Sequence, residues 1–81
     1  MVTSSLKKLL NELVKIKFPF INRIEVFEDK PAFDLPWTTV YVILNRYEDI
    51  KYDKEIREYI EEISMYSGTK INQISFSLEG S

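Results

Sequence analysis

The run Trp37-Thr38-Thr39-Val40-Tyr41-Val42-Ile43-Leu44-Asn45 constrains the fold more than any other stretch, because β-branched and aromatic residues follow one another there with no charge and no breaker. Such a run reads as a central strand covered on at least one face. Alternation places Val40, Val42 and Leu44 on one side and Thr39, Tyr41 and Ile43 on the other. The wholly aliphatic side is expected to be the core, each residue there contributing about 1.5–3 kcal/mol when fully buried.

The remaining segments arrange themselves around that strand. Thr3 or Ser4 can cap a helix whose Leu6, Leu9, Leu10, Leu13 and Val14 recur at the spacing of one buried stripe. The helix must stop near Phe18, because Pro19 lacks a backbone donor and disfavours the α conformation in the residue before it. From Ile21 to Glu28 the chain alternates, with Ile24 and Val26 on one face and Arg23, Glu25 and Phe27 on the other, which reads as a half-exposed strand. The stretch from Glu28 to Pro36 carries two prolines and no ladder pattern, so it is the connection into the central strand. Its Phe33 and Leu35 either tuck onto the core edge or face a partner. Beyond Asn45 a polar run leads to Asp53, an expected N-cap, and to a second helix with Ile56, Tyr59, Ile60 and Ile63 inward, ended by Gly68. Between Ile71 and Glu79, Ile74, Phe76 and Leu78 form a buried row and Gln73, Ser75 and Ser77 a polar one.

The order α-β-β-α-β predicts a single α+β domain over residues 1–81, a three-stranded mixed sheet with two helices packed on one face. The first two strands are expected to be antiparallel, and the second helix to return the third strand parallel to the second. The opposite face is left open, lined by Phe27, Trp37, Thr39, Tyr41, Ile43, Gln73, Ser75 and Ser77. Among these, Phe27, Trp37, Tyr41 and Ile43 are the interface candidates, an apolar patch suited to a homodimer or another protein partner. Ordinary half-exposure of aromatics on a small sheet is the plain structural alternative.

Composition removes whole classes of chemistry. With no cysteine and no histidine, the chain has neither thiolate nor imidazole ligand, no disulfide, and no Ser-His or Cys-His pair. No catalytic residue, metal or cofactor is expected. The carboxylates Glu48, Asp49, Asp53, Glu55, Glu58, Glu61 and Glu62 read as a solvated helix face and its leader, and Ser67-Gly68-Thr69-Lys70 lacks the second glycine and following helix of a phosphate loop. The net charge of −2 argues against a general nucleic-acid binder, although Lys7, Lys8, Lys15, Lys17 and Arg23 stand against Glu12 alone in the first 24 residues.

Lys7, Lys8 and Arg23 are therefore the basic residues available for a contact. Lys7 and Lys8 sit at the unfavourable end of the first helix dipole, as Glu61 and Glu62 do near the end of the second, so a cross-helix ion pair is expected between them. No stretch approaches the ~18 apolar residues of a membrane span. The first residues lack the charged-then-apolar order of a signal peptide, and the absence of cysteine fits a reducing compartment, so a cytoplasmic protein is expected.

The order α-β-β-α-β resembles type II KH-like domains and the ring-building modules of secretion and sporulation machines. Val40 to Leu44, Asp53 to Tyr66 and then Ser67 to Phe76 resemble the ending of the alkaline shock protein family, where a strand, an amphipathic helix, a glycine and a V-x-x-V-x-V strand follow in turn. The N-terminal half departs from that family by its long proline-containing connection. The resemblance implies a non-enzymatic cytoplasmic scaffold that self-associates or binds a membrane anchor. A KH-like reading would imply RNA binding, but the G-x-x-G loop that clamps the nucleic-acid backbone is missing.

Overall fold

In the computed structural model, which describes residues 2–29 and 37–80, the elements are α1 (Val2–Lys17), β1 (Ile21–Asp29), β2 (Trp37–Leu44), α2 (Asp53–Ser67) and β3 (Gln73–Leu78). Phe33 and Leu35 of the connection lie outside the described residues. The sheet has the order β1-β2-β3, antiparallel between β1 and β2 and parallel between β2 and β3. The apolar run that opens β2 thus becomes the middle strand. Its register sets Val26 opposite Val40 and Ile24 opposite Val42, with Ile74 beside Val40 on the other side. Val40, Val42 and Leu44 are fully buried. Leu6, Leu10 and Val14 of α1 and Ile56, Ile60 and Ile63 of α2 close over this row, so both helices cover one face.

Several local features differ from the sequence expectation. In α1 the burial follows Leu6, Leu10 and Val14, continued by Phe18, while Leu9 is half-buried and Leu13 is 38 % exposed. The helix packs mainly along β1 at the margin of a narrow sheet, which covers one line of side chains and leaves its flank in water. Because α1 begins at Val2, Thr3 and Ser4 lie inside its first turn, past the position of a cap.

The polar run before α2 is a 3-10 turn over Tyr47–Tyr52 that leads straight into the helix, and Asp53 already has helical dihedrals (φ −56°, ψ −42°), so it is the first helical residue and not the cap. Asp49 is buried and held by Arg46 (Nη2–Oδ1 3.4 Å), while Ile50 and Tyr52 pack on the core, which explains why the run folds down onto the domain. In the buried row of β3, Ile74 is buried, whereas Phe76 and Leu78 are half-buried at the sheet margin.

Gly68 ends α2 as expected. At φ +73° it adopts the left-handed conformation that glycine reaches without strain. The Thr69 N–H then donates to the Ser64 carbonyl (3.1 Å) and the Gly68 N–H to that of Met65 (3.3 Å), the paired bonds of a Schellman ending.

The sheet margins are held by side chains from the helices. The Asn11 amide donates to the Ile24 carbonyl (2.8 Å) and its oxygen accepts from the Ile24 N–H (3.0 Å), on the side of β1 away from β2. At the other margin, Arg57 of α2 donates to the Ile74 carbonyl (2.9 Å). Asn72 sets β3 on β2 by exchanging bonds with Thr38: its backbone N–H donates to the Thr38 carbonyl (2.9 Å) and its side-chain oxygen accepts from the Thr38 N–H (2.8 Å).

Candidate functional site

The face of the sheet away from the helices is set by alternation with the core row. Arg23 lies opposite Ile43, Glu25 opposite Tyr41, and Phe27 opposite Thr39, while Gln73, Ser75 and Ser77 stand beside Thr39, Tyr41 and Ile43 on β3. The strands therefore bring the expected lining onto one surface. Phe27 and Tyr41 meet edge to face, with ring centroids 5.5 Å apart and planes at 76°. Phe27, Trp37 and Tyr41 are 54 %, 44 % and 36 % exposed.

Ile43 and Thr39 do not share that exposure. Ile43 is expected to face water and is instead buried, at 8 % exposure, and Thr39 is at 9 %. Arg23, which pairs with Ile43 across the β1–β2 ladder, reaches over the middle strand to Glu79 just beyond β3. The Arg23 stem and the Arg23–Glu79 ion pair thus lie over Ile43, a long side chain covering apolar surface while its charged head remains in water.

That ion pair belongs to a chain of charges. Lys7 Nζ stands 2.7 Å from Glu25 Oε1, Arg23 Nε stands 3.2 Å from Glu25 Oε2, and Arg23 continues to Glu79. The Lys7 ammonium, with Arg23 behind it, holds the Glu25 carboxyl below its usual range, and partial burial opposes this without reversing it. Glu79, and more weakly Glu25, strengthen the hold of Arg23 on its proton. Of the three basic contact candidates, Lys7 and Arg23 therefore converge on Glu25, and Lys8 stands apart, exposed on α1.

The expected cross-helix pairing is replaced by this link. Among the described residues no ion pair joins Lys7 or Lys8 to Glu61 or Glu62. Lys7 lies one turn before Asn11 on the flank of α1 that faces the β1 margin, whereas Glu61 lies beside Arg57 on the flank of α2 next to β3.

A shallow, open depression of about 730 Å³ occupies this face, floored by Phe27, Tyr41 and Ile43. Among the described residues its charged lining consists of four carboxylates, Glu25, Glu28, Asp29 and Glu79, and one guanidinium, Arg23. Sequence reading missed the acidic character of this rim. Glu25 stands in the alternation of β1 and Glu79 one place past Ser77 in the polar row, but their meeting through Arg23 depends on side-chain reach, which periodicity does not carry. Among the described residues no group of three or more carboxylates is placed to hold a metal ion, and no helix is long and apolar enough to cross a membrane. Comparison with protein-family models, curated proteins and solved structures finds no match for this chain.

Proposed function

We propose that the protein is a non-enzymatic cytoplasmic interaction module that meets a protein partner, or a second copy of itself, through the open face of its sheet. The observation that carries this reading is the cluster of Phe27, Trp37 and Tyr41 on the helix-free face, substantially exposed and with two of the rings in contact. Aromatic side chains of this kind offer large apolar area at low entropic cost and serve as anchors where proteins meet. Base stacking is the weaker reading, because among the described residues Arg23 of the depression is engaged by Glu79 and Lys7 by Glu25, so that both contribute little to phosphate binding.

Light scattering across a concentration series, on the wild type and on Tyr41→Glu, tests the proposal together with an RNA titration at two salt concentrations. A mass above that of the monomer that Tyr41→Glu abolishes assigns the face to a second copy. A wild type that is monomeric throughout excludes a second copy as the occupant. Self-association that survives Tyr41→Glu overturns the proposal, and so does RNA binding that falls steeply with salt and is lost in that variant.

A further inference from the structure

Three cations of this protein lie over aromatic rings. Lys17 Nζ lies 4.4 Å from the Tyr59 centroid, Lys51 Nζ 5.3 Å from that of Tyr52, and the Arg57 guanidinium 5.0 Å from that of Phe76. Among the described residues no cation lies over Phe27 or Tyr41. Their surroundings are nonetheless acidic: Glu28 and Asp29 follow Phe27 on β1, are exposed, and make no ion pair among the described residues. The Arg23 guanidinium, which also lines the depression, is engaged by Glu79 and Glu25.

We infer that the open face takes a lysine- or arginine-bearing segment of a partner protein, its cation resting on the Phe27 and Tyr41 rings with Glu28 and Asp29 alongside. This rests on the reading of the face as a contact surface and names the chemistry of what it meets. The ring faces are the negative pole of the aromatic quadrupole, and carboxylates at their rim add direct attraction for the same charge. The aliphatic stem of the incoming side chain covers the apolar floor, as the Arg23 stem already covers Ile43. A second copy is the poorer occupant. A two-fold contact sets the same patch against itself, which opposes carboxylate to carboxylate in a chain whose net charge is already −2.

Trp37, the sole tryptophan, lies opposite Asp29 on this face and supplies the signal. The probes are a short peptide alternating lysine and leucine, its glutamate–leucine counterpart and a threonine–leucine one, titrated against Trp37 emission at low and high salt. The lysine peptide is expected to bind saturably and more weakly at high salt, and the other two to bind poorly. Glu28→Lys/Asp29→Lys and Tyr41→Ala should each weaken it by about tenfold, because both the rim charge and the ring are needed. Glu58→Lys/Glu62→Lys, a reversal of equal size on α2, should leave it unchanged. Binding that falls equally in the α2 reversal is bulk attraction to an acidic protein and overturns the inference. If all three peptides bind alike and only Tyr41→Ala weakens them, the contact face stands and its preference for cations is overturned. If none binds, the inference fails, and the light-scattering experiment alone then decides the contact face.

Discussion

Tyr41 and Ile43 point to the same side of β2 two residues apart, yet one is 36 % and the other 8 % exposed, and a charge placed at each should have unequal consequences. Tyr41→Glu leaves its carboxylate in water, loses the ring contact with Phe27 and faces Glu25 across the ladder, and should keep the fold at a cost of about 1 kcal/mol. Ile43→Glu pushes a carboxylate beneath the Arg23 stem and should destabilise it by about 1–3 kcal/mol, with urea midpoints separating the two. On the other side of the strand, Val42→Ala removes two methyl groups from a fully buried site and should cost about 1–3 kcal/mol by the same measurement. The Lys7–Glu25 pair adds a pH dependence. Because the folded Glu25 carboxyl titrates below its ordinary value of 4.5, the stabilisation is fully present above that value and is lost as the pH falls through the depressed one. Lys7→Met removes the first cause of the depression. The stability gap between wild type and Lys7→Met should therefore be constant near neutrality and close in acid, as read from urea midpoints taken down through the carboxylate range.

At the scale of elements, α1 is tied to β1 by more than its apolar line. Asn11→Ala would leave the Ile24 N–H and carbonyl without their side-chain partner, at a cost of about 1–3 kcal/mol where water does not replace it. Amide exchange at Ile24 should quicken, while the Thr38 amide, held by Asn72 at the opposite side of the sheet, should not respond. Periodicity made most of the elements legible, since Pro19, Gly68 and the alternation of β1, β2 and β3 each act within a few residues of where they stand. It could not reveal the 3-10 turn, because what folds Tyr47–Tyr52 is the burial of Asp49 beside Arg46 and of Ile50 against the core, a tertiary cause acting on a segment whose composition is that of a loop. The candidate face was legible in Phe27, Trp37 and Tyr41 by alternation alone. The burial of Ile43 was not, since it depends on an arginine of one strand finding a glutamate beyond another.

Across the whole molecule, one apolar cluster is shared by both helices and all three strands, so no element has a core of its own. Thermal unfolding followed by far-UV circular dichroism and by Trp37 emission should therefore give coincident transitions, and a separation of the two would mean that the start of β2 melts independently. The two occupied margins of the sheet bear on what this protein does when crowded. A strand arriving from another molecule finds the Ile24 backbone already bonded to Asn11 and the Ile74 carbonyl to Arg57, so it cannot run an unbroken ladder along either side, and Glu28 and Asp29 confront it where β1 ends. Lateral growth into a fibril is obstructed at both sides by residues that belong to the helices. The domain can be thickened but not widened, and any association at high concentration is expected to be a weak, reversible meeting of aromatic faces, opposed by their carboxylates and dispersed by a soluble cationic competitor, in place of an irreversible cross-β deposit.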